Sequence, residues 1–284
     1  MDWLKKNEKY IDRIIDSGLK EDIGAGDVTT DIIIPDNAVL KGIFRAKDGG
    51  IVCGIPLMKK VFLKLDPDVK ITVKKKEGQR VKKEDIIAVI KGKAKAILMG
   101  ERLALNLLQL LSGIATSADK FQSIVEPYGV TILDTRKTTP TLRLLEKYAV
   151  KTGGATNHRM GLYDMVLIKD NHLDFIDLQK AVRDCRRFIP RGMKIEVEVD
   201  NLEMLEQAMK AEPDIIMLDN MNFEMMDRAL AIMKSRGCRA KVEISGGVNL
   251  HNVEEIARRR VDFISIGSIT HSPQALDISL QLSK

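Results

Sequence analysis

The stretch KIEVEVDNLEMLEQAMKAEPDIIMLDN, Lys194–Asn220, reads as strand, helix, strand. KIEVEV is a short apolar-rich run, LEMLEQAMK has the length of a helix, and DIIML is a second short run. The alternation extends in both directions. VTILD (Val130–Asp134) and MVLI (Met165–Ile168) come before it; KVEI (Lys241–Ile244) and FISI (Phe263–Ile266) come after it. Helix-length segments such as LRLLEKYAV, LQKAVRDCRRF, FEMMDRALAIMKS and NVEEIARR separate the runs. The series makes about six βα units, spaced for right-handed parallel crossovers. A parallel sheet of this kind must be covered by helices. No GxGxxG turn interrupts it, which favours a β/α barrel over a doubly wound nucleotide fold. In a barrel, chemistry sits at the carboxyl ends of the strands.

The chain upstream has another texture. MDWLKKNEKYIDRIIDSGL places Trp3, Leu4, Ile11, Ile14 and Ile15 at helical spacing, an amphipathic first helix. EDIGAGDVTT, Glu21–Thr30, reads as a tight turn and loop. LKGIFRAKDGGIVCGIP predicts two short strands around Asp48-Gly49-Gly50, and PLMKKVFLKL a helix opening at Pro56. VKITVKKKEGQRV and DIIAVIKGKAKAIL read as strands, with turns at Glu77-Gly78 and Gly92. This region reads as a small α+β layer, a mostly antiparallel sheet with helices. A long helix follows, with Leu103, Leu107, Leu110 and Leu111 as its apolar stripe and a break expected at Gly113. The expected division is therefore an N-terminal α/β domain over 1–112 and a barrel over 113–272. A C-terminal helix over 273–284 is expected to pack back on the first domain.

Composition narrows the class. The chain has 284 residues, 44% hydrophobic and 30% charged, a globular balance with room for a substantial core. No apolar run looks long enough to span a bilayer, and the N-terminus lacks the apolar block of a signal peptide. Cys53, Cys185 and Cys238 are scattered and odd in number, with neither metal spacing nor a disulfide framework. A reducing cytoplasm and no membrane are the expectations. The net charge of +6 is mild and dispersed. Its densest run, Arg258-Arg259-Arg260, closes a predicted helix, where cations complement the helix dipole. No nucleic-acid-binding signature accompanies it, so no nucleic-acid partner is expected.

The strand ends carry the chemistry. VTILD leads into Thr135-Arg136-Lys137, and MVLI into Lys169-Asp170-Asn171-His172; Asn157-His158-Arg159 lies in the loop between them. EVEV places Glu196 and Glu198 on one face of a strand. DIIML ends in Asp219-Asn220, KVEI in Ser245-Gly246-Gly247, and FISI runs into Gly267-Ser268. Cations crowd the early strands and suit carboxylates and pyrophosphate. Glu198 and Asp219 are hard oxygen ligands suited to Mg²⁺ held together with phosphate oxygens. The glycine-rich late ends expose backbone N–H groups, as a phosphate grip needs. Each piece has a plainer alternative. Ser245-Gly246-Gly247 reads equally as a simple turn, Asp219-Asn220 as a helix cap, Lys169 as a solvated strand-end residue, and Arg102 as a surface charge beside Glu101. Two carboxylates inside a packed strand are harder to dismiss, because they require partners. What favours function is that all these signals fall at one end of one sheet.

The phrases EDIGAGDVTT, GERLALN with LLSGIAT, DTRKTTPTLR, GGATNHRMGLYDMVLIKDNH, EVEVD, MLDN, ISGGVN and SIGSITHS resemble the quinolinate phosphoribosyltransferase family from residue 21 to residue 272. Thr141 is a departure, where glycine is expected after the Thr-Thr-Pro. The resemblance implies an N-terminal α/β sandwich with an open barrel of about six strands. It implies a homodimer in which Arg102 of one subunit completes the other's pocket, with a hexamer left open. It also implies the transfer of phosphoribose from phosphoribosyl pyrophosphate to quinolinate, with loss of CO₂ and Mg²⁺ as cofactor. Arg102, Arg136 and Arg159 would then pair with the ring carboxylates beside His158 and Lys169, and Lys137 and Lys169 would reach the phosphates. Glu198 and Asp219 would face the ribose cation and the metal. Ser245, Gly246, Gly247, Gly267 and Ser268 would cradle the 5-phosphate. The alternatives are a molybdenum-transport-associated relative of the same fold and a non-catalytic binding module. The NHR and IKDNH phrases and the intact set of charges argue against them.

Overall fold

The computed structural model describes residues 2–283, which divide into two compact units. Of the described residues, the first comprises 2–117 with 273–283, and the second runs from 118 to 272.

The first unit holds strands β1 (Val39–Ala46), β2 (Gly50–Ile51), β3 (Lys70–Val73), β4 (Arg80–Val81) and β5 (Ile86–Lys93). Its main sheet has the order β12-β1-β5-β3, where β12 is Ile278–Ser283, and it is antiparallel throughout. Phe44 of β1 meets Phe62 of the helix Ile55–Leu65 edge to face, at 6.1 Å between centroids, and both are fully buried. The amphipathic helix Glu8–Ile23 buries Ile11 and Ile15. Its loop ends at Asp27, whose carboxylate caps the helix Val28–Ile33 by accepting from the Thr29 and Thr30 N–H groups.

Four expectations need correction. The expected helix over 273–284 is absent from its described residues, 273–283: ISLQLS is β12, paired antiparallel along β1 from Lys41↔Ser283 to Ala46↔Ile278. The period-two alternation of Ile278, Leu280 and Leu282 suits a strand whose inner face is buried. Gly92 is not a turn but lies inside β5, and AKAIL opens the following helix. That helix runs unbroken over Ala94–Val125, through Gly113. A Cβ on Gly113 would sit 2.1 Å from the Gln274 carbonyl, so the glycine permits a close backbone approach rather than a kink. The last concerns membranes. By length and composition Ala94–Tyr128 is apolar enough to cross a bilayer, although 56% of its apolar window is buried in the protein.

The second unit is a parallel sheet of six strands: β6 (Thr131–Leu133), β7 (Val166–Ile168), β8 (Ile195–Val199), β9 (Ile215–Asp219), β10 (Lys241–Ser245) and β11 (Phe263–Ser265). Their order is β6-β11-β10-β9-β8-β7. Neighbours follow the chain except where β6 returns to pair with β11, so the seam lies between β6 and β7. Thr156 bridges to Leu133 on the β6 side of this seam. Its N–H donates to Ile132 O at 2.9 Å and its carbonyl accepts from Asp134 N at 3.2 Å. The seam therefore carries Asn157-His158-Arg159 directly past the end of β6.

Candidate active site

Asn157, Asp170, Asn171, His172 and Glu196 do not line the cavity of about 460 Å³ in the second unit, but apart from Arg102 every residue given a role by the resemblance does. These are Arg136, Lys137, His158, Arg159, Lys169, Glu198, Asp219, Ser245, Gly246, Gly247, Gly267 and Ser268. Thr135, Leu167, Met217, Asn220, Val248, Ser265, Ile266 and His271 complete the lining. Arg102 is exposed on the helix Ala94–Val125, in the first unit.

The cationic wall is held from behind by one helix, Arg143–Thr152. Arg143, Glu146 and Lys147 share a face of it, being three and four residues apart. Arg143 donates from Nε to Thr138 Oγ1 at 2.9 Å, and from its terminal nitrogens to Arg136 O and Met160 O. Buried Glu146 accepts from Thr139 N–H at 3.1 Å. Lys147, fully buried, donates to Asp134 Oδ1 and to His158 O, and the same Asp134 oxygen accepts from His158 N–H. Burial pushes the Asp134 carboxyl up to about 6 despite Lys147, and it pulls the Lys147 ammonium down. These three helix residues look like surface charge on an amphipathic pattern, and the sequence offers no cue that they face inward. Thr141, in the loop they hold, has φ 69°. The chain thus keeps the left-handed backbone that glycine would take freely, with a β-branched residue in it.

Lys169 and Glu198 face each other at the mouth, where Lys169 Nζ donates to Glu198 Oε2. Asp219 Oδ2 accepts from Asn220 Nδ2 at 2.7 Å. Asn220 is itself left-handed, at φ 53°, and its side chain explains the neighbouring glycine. A Cβ on Gly246 would lie 2.1 Å from Asn220 Oδ1, and Gly246 has φ 88°. Beside them, Thr270 Oγ1 donates to Lys137 O at 2.8 Å, which ties the loop after β6 to the segment after its neighbour β11.

One layer below lies a group only half foreseen. Glu196 and Glu243 are fully buried; His158 Nε2 lies 3.1 Å from Glu196 Oε2 and 3.5 Å from Glu243 Oε1. Glu196 is expected from EVEV, whereas Glu243 was missed. Its signal was the carboxylate inside KVEI, the same anomaly as in KIEVEV. Burial pulls the His158 ring down, but the two carboxylates outweigh it and push the ring up to about 10. Burial pushes Glu196 up to about 7, opposed by His158 and aided by Glu243. Nδ1 accepts from the Arg159 N–H at 2.7 Å, so the shared protons lie between Nε2 and the carboxylates rather than on Nδ1. Arg159 turns its guanidinium back to Met165 O at 3.3 Å, and burial and Arg136 both lower its affinity for its proton.

Residues 27–112 match the N-terminal domain of quinolinate phosphoribosyl transferase, and residues 114–281 match its C-terminal domain. A Synechocystis protein named a probable nicotinate-nucleotide pyrophosphorylase (carboxylating) is 41% identical over 276 residues, 96% of this chain and 92% of its own. A Bacillus subtilis protein of the same name is 38% identical, covering 98% of this chain and 95% of its own. The solved nicotinate-nucleotide pyrophosphorylase of Francisella tularensis superimposes with a TM-score of 0.90 at 38% identity, over 97% of this chain and 96% of its own. By its sequence in both units and by its fold, the chain belongs to the quinolinate phosphoribosyltransferase family.

Proposed function

We propose that this protein joins quinolinate to phosphoribosyl pyrophosphate and releases nicotinate mononucleotide, pyrophosphate and CO₂, a step of NAD biosynthesis. The observation that carries this reading is one cavity lined together by cations, two acids and glycine-rich strand ends. Quinolinate has two adjacent carboxylates, and Arg136 and Arg159 offer planar, bidentate partners for them. Lys137 and Lys169 supply point charges for the phosphates. The backbone around Ser245, Gly246, Gly247, Gly267 and Ser268 fits the ribose 5-phosphate, because Gly246 leaves room that a side chain would fill.

Catalysis in this arrangement is placement and electrostatics. The ring nitrogen forms a bond to ribose carbon one, while the bond to pyrophosphate breaks and its electron pair leaves with the pyrophosphate. Glu198 and Asp219 face the positive charge that grows on the ribose. The alkylated nitrogen is then cationic and stabilises the electron pair that stays on the adjacent carbon as CO₂ departs; that pair then bonds a proton in the carboxylate's place. Glu198 and Asp219 also suit Mg²⁺, as hard carboxylate oxygens at a partly solvated wall. Bound there with pyrophosphate, Mg²⁺ would neutralise charge on the leaving group. The working place in this proposal is a reducing cytoplasm.

The working unit in this proposal is a homodimer, with Arg102 of one subunit reaching the partner's quinolinate. An Arg102→Ala chain mixed with a Lys137→Ala chain then builds one intact site per mixed dimer. Each variant alone is nearly inactive, and the mixture regains roughly a quarter of wild-type activity. A mixture as inactive as its parts would contradict the shared site. The reaction is tested with quinolinate, phosphoribosyl pyrophosphate and Mg²⁺, by following CO₂ and nicotinate mononucleotide.

A further inference from the structure

His158 lines the cavity, yet both of its ring nitrogens are already engaged by the protein. Nε2 lies against Glu196 and Glu243, and Nδ1 accepts from the Arg159 N–H at 2.7 Å. No ring N–H is left to meet a substrate carboxylate. The backbone of His158 is fixed as well, since Lys147 donates to its carbonyl and Asp134 accepts from its N–H. The ring is therefore a strut. One end rests on two buried carboxylates in the barrel interior, and the other holds the main chain of Arg159.

The same three side chains bring a ligand atom each within 4.8 Å of one another, a spacing that would suit a metal ion. The Nδ1 contact decides between the two uses. A metal-bound histidine donates from its other nitrogen. Here that nitrogen faces an N–H and can only accept, so Nε2 must carry the proton and cannot be a ligand.

We propose that Glu243, together with Glu196, is a positioning residue for substrate selection: through the His158 ring it sets the main chain of Arg159, and so the guanidinium that meets a carboxylate of the pyridine dicarboxylate. This rests on the reaction proposed above and assigns Glu243 a part in it. The contact predicts a selective effect. Glu243→Leu removes the polar partner of Nε2 and should raise the KM for quinolinate by about tenfold or more, with the KM for phosphoribosyl pyrophosphate within about twofold. Glu243→Gln keeps an oxygen beside Nε2 and should restore the quinolinate KM to within about threefold of wild type. If the leucine chain does not fold, Glu243→Asp decides, because it withdraws the carboxylate by one methylene. It should raise the quinolinate KM alone.

Equal changes in both KM values, or no change in either, would overturn the proposal. So would a transition-metal ion that is recovered in stoichiometric amount from the wild type and lost from Glu243→Gln. Wild type is assayed in parallel. A wild type inactive on quinolinate sinks the reaction itself, whereas an active wild type with unselective variants sinks only this inference.

Discussion

Glu196 and Glu198 are the same residue type, two apart on the same face of β8, and they live in different solvents. Glu198 keeps 17% of its side chain exposed and meets Lys169 at the cavity mouth. Glu196 is fully buried, one layer down, against His158. The layer division runs round the barrel. Arg136 and Lys137 are exposed at the mouth, while Asp134, just before them, is buried against Lys147. Upper charges are available to a ligand, and lower charges are spent on one another. Burying a charge without a partner costs several kcal/mol, so the lower layer is a structural commitment whose partners cannot be removed singly. The upper layer can lose a charge to solvent at little cost to the fold.

The largest effect expected from this contrast lies in the lower layer. Lys147→Met leaves Asp134 buried without its cation and should cost about 3–5 kcal/mol of stability. Adding Asp134→Leu should recover a large part of that, since a buried pair replaced by apolar groups is often near neutral. Thermal or urea unfolding of the single and double variants checks both; a single variant as stable as wild type would erase the distinction between the layers. In the upper layer, Glu198→Gln should lower kcat by about 10²–10³ with little change in Tm. A comparable loss of Tm would mean that Glu198 is structural too. The smallest effect concerns the loop that carries the wall. Thr141 holds a left-handed backbone that costs a β-branched residue about 1–3 kcal/mol. Thr141→Gly should therefore stabilise by about 1 kcal/mol with activity retained, as a melting curve would show.

The upper layer was legible in the sequence and the lower one largely was not. The βα series shows itself by local periodicity, and every strand that it predicts is present. Arg136, Lys137, Lys169, Asp219 and the glycines follow, because a strand end is visible in the chain itself. Lys147 is different. In LRLLEKYAV it looks like solvated charge on a helix, and only its contact with Asp134, 13 residues earlier, shows that it points inward. Glu243 depends on His158, which lies in another segment. The C-terminal strand was missed for a related reason: ISLQLS is short, and its partner β1 lies more than 230 residues away in the chain. Gly113 reads as a break in the sequence because its close neighbour, the Gln274 carbonyl, comes from that same distant segment.

Competition between quinolinate and nicotinate tests the account most directly. The two differ by one carboxylate, and the proposed function gives Arg136 and Arg159 the two carboxylates of quinolinate to meet. With phosphoribosyl pyrophosphate and Mg²⁺, the protein should form nicotinate mononucleotide from quinolinate with one CO₂ released per turnover. Its kcat/KM for nicotinate should be lower by about 10³ or more. Turnover of nicotinate at a comparable rate, or product formed without CO₂, would contradict it.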